Sequence, residues 1–266
     1  MISFERVRHD NPTAGKLLQL WAYLHYQDIW YELFLRSAGS WHDEQGWVQE
    51  LAGGEIVFKG TMQSLLAYSL IESQQDRESY SMHPVVHDWC AETVSCGHED
   101  LLLAALIIVG RASPDHSEAE YWLLQQRLLP HADRCVRQMG VAEAHHYLQV
   151  EASDAFHGLG ILFADQGKYA KAEKMNRRAL DGREKAWGPD HTSTLSIVNN
   201  LASLYVDQGK HAKAEEMYRR ALDGYIRARG RNHPITQRIA NNLALLHQQA
   251  TPRRGKIHKW LCKLKQ

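Results

Sequence analysis

Several features that mark whole classes of protein are absent from this sequence. Lys plus Arg and Asp plus Glu both number 31, so the chain has no net charge with which to attract nucleic acid or an anionic membrane surface. The longest apolar run, residues 101–109, is far shorter than the ~20 residues that cross a bilayer, and it predicts a buried helix instead. We therefore expect neither nucleic-acid binding nor stable insertion into a membrane.

Cysteine is scarce as well. Cys90, Cys96, Cys135 and Cys262 are scattered along the chain and do not form the dense framework of a disulfide-stabilised secreted domain. The first residues also lack the pattern of a secretory leader. Together these observations predict a reducing compartment, and we expect a cytoplasmic protein.

Motifs for catalysis are missing too. The sequence contains no Gly-x-Ser-x-Gly elbow, and none of its cysteines has the neighbours of a known nucleophile. Paired carboxylates such as Glu215 and Glu216 lie in polar stretches, where a solvated helix face is the simpler interpretation. We therefore expect a protein that is not an enzyme.

A group of histidines and cysteines requires a separate judgement. His83, His87, Cys90, Cys96 and His98 lie close together in the sequence, and both residue types are usual zinc ligands. Their spacing matches no paired CxxC motif, and the apolar residues among them indicate a packed amphipathic helix. The packed helix is the favoured interpretation, and we expect no metal ion.

What the sequence does contain is an internal repeat. Residues 167–192 and 209–234 are nearly the same sequence, with an offset of 42 positions between Gly167 and Gly209. A fixed period in this range predicts a solenoid of stacked units, because one helix pair cannot bury its own apolar face without a neighbour. Such an array is typical of binding proteins.

Within one unit the apolar spacing predicts two helices. The first, from about Thr194 to Asp207, carries a stripe at three- and four-residue intervals: Leu195, Val198, Leu201, Ala202 and Tyr205. The second ends at Gly230 and carries another stripe: Ala214, Met217, Tyr218, Ala221 and Leu222. With the shifted positions included, the array contains roughly two and a half such units.

This unit resembles the tetratricopeptide repeat. Small residues at Gly160, Ala202 and Ala244 would let two helix backbones approach closely, and the pattern GK–––A–AE––––RAL recurs at fixed places. The period of 42 is more similar to the kinesin-light-chain variety than to the usual form of about 34 residues. Asn176 stands where Tyr218 stands one unit later. His247 stands where Phe163 and Tyr205 place an aromatic residue in the earlier units. Both departures suit terminal repeats, whose outer faces contact water.

The resemblance implies a concave groove, lined by the first helix of each pair, that binds an extended or helical peptide. The residues carried over to this groove are His157, Ile161, Ser196, Asn199, Asn200, Ser203, Arg238, Asn241, Asn242 and Leu245. Side-chain amides can both donate to and accept from a peptide backbone. The alternative is that the two Asn-Asn pairs only face solvent or tie adjacent helices together.

The N-terminal third is predicted to begin with helices. Apolar spacing indicates one helix over residues 12–24 and, after a predicted cap at Asp28, a second over residues 29–34. A third is expected near residues 47–51. These short amphipathic segments indicate a small helical domain that is separate from the repeats.

A polar-tipped hairpin follows these helices in the sequence. A helix from Thr61 runs into an extended stretch, residues 74–78 are polar, and the chain from Tyr80 is extended before it becomes helical again. This order is typical of a winged helix. Its candidate recognition helix, residues 60–69, contains no Arg, so the sequence argues against DNA binding.

Residues Ser81–Trp89, SMHPVVHDW, resemble the signature that closes the winged-helix part of fungal NOD-like receptors, which join an NB-ARC or NACHT nucleotide switch to tetratricopeptide repeats. Residues 11–24, 28–34 and 128–131 resemble that family as well. The resemblance implies that His83 senses the phosphate of bound ADP. However, no Gly-Lys pair in the sequence is followed by Ser or Thr, as a phosphate-binding loop requires. We therefore expect no nucleotide cofactor unless a missing ATP-binding core is present, and otherwise a capping or structural role for His83.

These observations combine into one hypothesis. The chain is expected to be mainly α, with a winged-helix-like domain at 1–97, a helical connector at 98–149, tetratricopeptide repeats at 150–250 and a basic tail at 251–266. The favoured function is a non-enzymatic adaptor whose groove binds a protein or peptide, with self-association as a further option. The resemblance implies a remnant or fragment of a fungal NOD-like immune or incompatibility receptor.

Two alternatives stay open at this point. The chain could be the regulatory half of an ADP/ATP-dependent NB-ARC switch that acts with a separate ATPase region. It could also be a cargo adaptor similar to kinesin light chain, although the N-terminal residues show no heptad coiled coil. The basic tail could contact an anionic membrane or an acidic partner, or be a frayed terminus.

Overall fold

The structure, a computed structural model, describes residues 2–39, 41, 45–94, 99–139 and 152–250. Within these residues the chain forms thirteen helices and one small sheet, so the prediction of a mainly α fold is confirmed. Two compact units divide the chain between Lys168 and Tyr169. Cys96, His98 and the basic tail at 251–266 were singled out from the sequence, and they lie outside the described residues.

The described part of the first unit combines nine helices with a three-stranded antiparallel sheet. Its helices are α1 (Ile2–Asp10), α2 (Pro12–Trp21), α3 (Tyr31–Leu35), α4 (Gly46–Gly53), α5 (Glu55–Ala67), α6 (Pro84–Val94), α7 (Glu99–Arg111), α8 (Tyr121–Met139) and α9 (Ser153–Asp165). Its strands are β1 (Ile29–Trp30), β2 (Ile71–Gln74) and β3 (Ser79–Met82), with β3 in the middle. A 3-10 turn joins β2 to β3, so a polar-tipped hairpin lies where the sequence predicted one.

The predicted helix capped by Asp28 is wrong in its first residues. Ile29 and Trp30 form strand β1, which pairs with β3, and helix α3 begins only at Tyr31. Asp28 instead adopts a left-handed backbone with φ of 63°, and its carboxylate accepts two hydrogen bonds of 2.9 Å from Arg127. A buried apolar pair suits a strand as well as a helix, and the partner strand that decides between them is distant in the sequence.

The segment between α2 and β1, residues 22–28, has no regular structure, so its carbonyl groups need partners from elsewhere. Side chains of α6 and α8 provide several of them. The carbonyls of Trp21 and Leu24 accept from His87 Nε2, that of Ala22 from Arg134, that of Tyr23 from the Cys135 thiol, and that of Asp28 from His131. Helices α6 and α8 are therefore both attached to one irregular segment.

His131 is buried, and both of its ring nitrogens are engaged in this arrangement. Nδ1 accepts a hydrogen bond of 3.2 Å from the His25 amide, so Nε2 carries the proton that is donated to the Asp28 carbonyl. Burial, with the neighbouring His25 as a smaller cause, lowers the pKa of His131 to about 4. Burial also lowers the pKa of His87. The fold therefore depends on the neutral forms of these imidazoles.

Helix α7 contains the longest apolar run, and residues 102–109 are buried as predicted. It packs on α9 at unusually close range, because Gly110 and Gly158 face each other's helix. A Cβ built at Gly110 would lie 2.6 Å from the Ala155 Cα, and one built at Gly158 would lie 3.1 Å from the Gly110 carbonyl carbon. No described helix is both long enough and apolar enough to cross a membrane.

The second unit consists of four helices in its described part. They are α10 (Tyr169–Trp187), α11 (Thr192–Asp207), α12 (His211–Arg229) and α13 (Pro234–Ala250). Gly209 turns the chain from α11 to α12 with φ of 69°, and Gly230 turns it from α12 to α13 with φ of 83°. Gly167 and Gly188, the residues 42 positions earlier, have φ of 67° and 85°. Both corners of the repeat therefore use a left-handed glycine.

Burial within the array follows the predicted stripes closely but not completely. The whole predicted stripe of α11 is at most 3% exposed. In α12, Ala214, Tyr218 and Ala221 are buried, whereas Met217 and Leu222 are partly exposed. Helix α11 packs against α10 and α12, and α12 also packs against α13. Ala244 of α13 is exposed, because no described helix packs on that side of it.

We expect the first unit to lose stability as the pH falls from about 6.5 to about 4. A histidine whose pKa is depressed by folding binds its proton more readily in the unfolded chain, so protonation favours unfolding over this range. The shift of His131 alone corresponds to about 3 kcal/mol of unfolding free energy. Urea unfolding at several pH values, followed by the fluorescence of the buried Trp21 and Trp30, measures it. His131→Gln should flatten the dependence, while Gln49→Ala, at an exposed site of α4, should leave it unchanged.

We also expect Gly110→Ala to lower the unfolding free energy by about 1–3 kcal/mol, because its methyl group would meet the backbone of α9, which cannot move independently. The matched control is Gly60→Ala in α5, where a Cβ would have no neighbour within 4 Å. That substitution should be neutral or stabilising, since alanine favours a helix over glycine. Equal thermal midpoints for the two variants would contradict the close packing of α7 on α9.

Candidate functional site

The structure places eight of the ten predicted groove residues on two helices of the second unit. On α11, the side chains of Ser196, Asn199, Asn200 and Ser203 lie at successive intervals of three, one and three residues, which place them on one helix face, and all are partly exposed. On α13, Arg238, Asn241, Asn242 and Leu245 repeat the same spacing, and all except Asn242 are exposed. His157 and Ile161 are half-buried on α9, which belongs to the first unit.

Two tyrosines of α12, seven residues apart, connect these stripes, and the groove prediction did not include them. Tyr218 shares a hydrogen bond of 3.0 Å with the hydroxyl of Ser203, and it also interacts with the side chain of Asn242. Tyr225 donates to the Thr192 carbonyl at 3.0 Å and interacts with Ser196. Their helical spacing was a usable signal in the sequence, but the resemblance carried over only the first helix of each pair.

A cavity of about 320 Å³ lies at the Tyr225 end of the stripes, and we name it the arginine pocket. Its lining residues are Arg183, Thr192, Ser193, Ser196, Tyr225, Arg229, His233 and Ile235. Burial raises the pKa of the Tyr225 phenol, and the charges of Arg238, Arg229 and Arg183 oppose that rise. The guanidinium groups of Arg183 and Arg229 thus line the pocket together with this phenol.

A second cavity of about 280 Å³ lies at the Tyr218 end, and we name it the leucine pocket. Its lining residues are Ser203, Val206, Asp207, Tyr218, Asn242, Leu245 and Leu246. Leu245 is 53% exposed, an unusual state for a large apolar side chain, whereas Leu246 is buried. The pocket thus offers apolar surface together with one carboxylate, that of Asp207.

The two pockets are separated by two turns of α11. Ser196 and Ser203 differ by seven positions, which at ~1.5 Å of helix rise per residue gives roughly 10 Å. Asn199 and Asn200 lie between them, and the Asn199 Oδ1 is buried without a hydrogen-bond partner among the described residues. The polar stripe of α11 therefore runs directly from one cavity to the other.

A repeated ion network holds the helices of the second unit together. The Glu173 carboxylate of α10 accepts hydrogen bonds from Arg177, from Tyr205 of α11 and from Lys210, at 3.1, 3.1 and 3.2 Å. Burial would raise the pKa of Glu173, but these three donors hold it below its usual value.

The same network recurs 42 residues later. Glu215 pairs with Arg219 at 2.7 Å and with His247 at 3.1 Å. His247 thus takes the place of Tyr205 in contacting the glutamate, and it retains a ring with a polar edge. This explains physically why a histidine suits the position at which the sequence showed a departure from the repeat pattern.

Another cavity, with a volume of about 680 Å³, lies in the first unit. It is lined by His25, Gln27, Asp28, Gln74, Leu123, Gln126, Arg127, Pro130 and His131. Its charged groups already have partners, because Asp28 binds Arg127, which also lies 3.9 Å over the Trp30 ring. The polar groups of this cavity stabilise the 22–28 segment, so we prefer the second unit as the candidate site.

The remaining residues singled out from the sequence lie in the first unit. His83 is exposed at the start of α6, and its Nδ1 accepts a hydrogen bond of 3.3 Å from the Val85 amide. Burial raises the pKa of Cys90 and of Cys135 to about 12, so both thiols are neutral. No three His, Cys, Asp or Glu side chains among the described residues are grouped to bind a metal ion.

Two known families match this chain, each over a different part of it. Residues 151–227 and 193–251 match the family described as tetratricopeptide repeat. Residues 5–98 match a family described as a domain of unknown function, DUF7779. None of the curated proteins matches the chain. The chain therefore contains tetratricopeptide repeats, and the candidate groove lies within them.

We expect Glu173→Gln to lower the unfolding free energy by about 1–2 kcal/mol, because three donors would lose their charged acceptor at a carboxylate that is only 19% exposed. The equivalent change, Glu215→Gln, should have a smaller effect, since that side chain is 37% exposed. Chemical unfolding followed by circular dichroism compares the two variants. A larger loss for Glu215→Gln would show that the exposure of the network does not determine its contribution.

Proposed function

We propose that the tetratricopeptide repeats bind an extended peptide segment of a protein partner and that the chain is a non-enzymatic adaptor. The observation that carries the proposal is a pair of cavities on one unit, joined by a stripe of partly exposed asparagines. The asparagine amides can bind a peptide backbone, and the cavities at the two ends of the stripe can accept its side chains. Tetratricopeptide repeats in general bind protein partners.

The tyrosines of α12 support this function by fixing the groove side chains. Tyr218 is hydrogen-bonded to Ser203 and interacts with Asn242, so residues of both groove helices are held by one phenol. Fixed side chains lose less conformational entropy when a ligand binds. The groove is therefore preorganised for a ligand, although the Asn242 contact shows that one asparagine also ties adjacent helices together.

Asparagine suits this position because a bound strand presents alternating donors and acceptors. The amide of Asn200 or Asn241 can donate to a peptide carbonyl and accept from a peptide amide at the same time. Such contacts are independent of the peptide sequence. They would provide affinity, while the cavities at the two ends would select side chains.

For the whole chain, the proposal is a cytoplasmic remnant or fragment of a fungal NOD-like receptor. Two features support it, the SMHPVVHDW segment and the 42-residue repeats. The alternative, a cargo adaptor similar to kinesin light chain, is supported by the repeats alone. In the structure, the second histidine of that segment, His87, binds the carbonyls of Trp21 and Leu24. A structural use of the motif is compatible with a chain that lacks a phosphate-binding loop, so the adaptor role is favoured over a nucleotide switch.

The test uses the full chain and a random library of displayed peptides. We expect the protein to enrich a set of peptides. Asn200→Ala combined with Asn241→Ala should weaken their binding roughly tenfold, the effect of losing about two hydrogen bonds. The control is Gln49→Ala, which removes an exposed carboxamide from α4 outside the array. Enrichment that is unchanged in the double variant, or no enrichment by the wild-type protein, would refute the groove.

A further inference from the structure

We infer that two imidazoles, those of His25 and His131, hold α8 on the 22–28 segment and release this helix when both take up a proton. We name this pair of side chains the histidine clasp. Its release would open the cavity of about 680 Å³ that α8 and the segment line together. The inference is independent of the peptide groove, because the clasp and the cavity belong to the first unit.

The first argument is that both rings of the clasp act as hydrogen-bond acceptors. His25 Nδ1 accepts a bond of 3.3 Å from the Gln27 amide, and His131 Nδ1 accepts one of 3.2 Å from the His25 amide. His131 Nε2 donates to the Asp28 carbonyl at 3.2 Å, so this ring joins α8 to the segment at two points. A protonated imidazole has donors only. Protonation therefore removes both acceptors, and each backbone amide loses its partner.

The second argument is that the surroundings of the clasp disfavour positive charge. Burial is the largest cause that lowers the pKa of His25, and three side chains of α6 and α8 lower it further: His87, Arg134 and Arg137. Burial also lowers the pKa of His131 to about 4, where His25 and Arg127 act in the same direction and Asp28 opposes them. The Asp28 carboxylate is bound to Arg127, so it compensates a charged ring only in part. The two rings, 6.1 Å apart between centroids, would also repel each other when both are charged.

Acid favours release, because a ring with a lowered pKa binds its proton more tightly once it leaves the clasp. The clasp is complete above pH ~6.5, the ordinary pKa of histidine, and weakens as the pH falls toward about 4. Release that takes up one proton becomes about tenfold more favourable per pH unit in this range, and release that takes up two becomes about a hundredfold more favourable. A response steeper than tenfold per pH unit is therefore the signature of the pair.

The opposite side of α8 is attached by groups outside the clasp. Gln125 donates to the Asp165 carboxylate of α9 at 2.6 Å, and Lys168 donates to Asp133 of α8 at 2.6 Å. His116 Nε2 donates to the same oxygen of Asp165 at 2.6 Å, and a proton on that ring preserves the bond. Helix α8 also packs on α7 and α9. It therefore separates from the segment while it stays attached to the end of the first unit.

Separation would open the cavity because its walls belong to the two parts that move apart. Helix α8 provides Leu123, Gln126 and Pro130, and the segment provides Gln27 and Asp28. The ring of Trp30, which the Arg127 guanidinium now covers at 3.9 Å, would be uncovered as well. The clasp thus controls access to this cavity through the pH.

Two native thiols test the inference in the full chain. Cys135 of α8 is buried and donates to the Tyr23 carbonyl of the segment. Cys90 of α6 is buried outside the clasp, on a helix that packs against α2. The experiment measures the rate at which dithiodipyridine labels each thiol between pH 7.5 and 4.5, with mass spectrometry of proteolytic peptides as the readout. Each rate is divided by that of glutathione, which removes the ordinary pH dependence of thiol reactivity.

We expect the normalised labelling of Cys135 to rise more than tenfold per pH unit below pH ~6.5. Cys90 should be labelled at least tenfold more slowly than Cys135 at pH 5, because α6 stays in place. Equal labelling of the two thiols would show that acid unfolds the whole first unit, and it would overturn the inference. Labelling of Cys135 that does not depend on pH would overturn it as well.

Two variants replace the titrating rings by carboxamides, which accept hydrogen bonds at every pH. His131→Gln and His25→Asn should each reduce the response of Cys135 to about tenfold per pH unit, and the double variant should abolish it. The control is His211→Gln, at an exposed site of the second unit, which should keep the wild-type response. The slope decides the test even if a variant loosens α8 at neutral pH. If His131→Gln fails to fold, His25→Asn decides alone, and a wild-type slope in that variant would refute the clasp.

Discussion

The second unit depends on one constraint, which is that a pair of helices cannot bury its apolar face without a neighbour. Helix α11 satisfies this constraint on two sides, because it packs against α10 and α12 and its apolar stripe is at most 3% exposed. Only one strip of α11 is left at the surface, and that strip carries Ser196, Asn199, Asn200 and Ser203. The position of the groove therefore follows from the way the hairpins stack. Tyr218 and Tyr225 of α12 contact Ser203 and Ser196 of this strip.

The first unit depends on a different constraint, because the carbonyl groups of an irregular backbone segment need hydrogen-bond donors. Residues 22–28 cannot pair their carbonyls locally, so His87, His131, Arg134 and Cys135 bind them from two helices that are distant in the sequence. These bonds require neutral imidazoles and a neutral Cys135 thiol. The SMHPVVHDW segment, which resembles part of a nucleotide switch, therefore has a structural use here. Its His87 connects α6 to the end of α2 and to the segment that follows it.

Much of the array was predictable from the sequence, because period, turn glycines and apolar stripes are local properties. The burial of Leu195, Val198 and Leu201 follows from their spacing alone. By contrast, strand β1 was missed, since Ile29 and Trp30 are apolar in either structure and the deciding partner is the distant β3. The arginine pocket was also missed, because it combines side chains of α10, α11, α12 and α13 that only the fold brings together. Ser196 was the one lining residue of this pocket that the resemblance had identified.

The matched left-handed glycines at both corners of the repeat have an evolutionary consequence. Since Gly167 and Gly209, and likewise Gly188 and Gly230, fall at the same two places in each hairpin, the coding sequence can gain or lose a whole 42-residue segment without misplacing a corner. A shorter insertion would place a residue other than glycine at a corner, where the positive φ is unfavourable for a side chain with a β-carbon. Each duplicated hairpin would lengthen the groove by a further pair of helices, with a spacing of ~8–10 Å between neighbouring helices. Copy number could therefore change the length of the ligand independently of its chemistry.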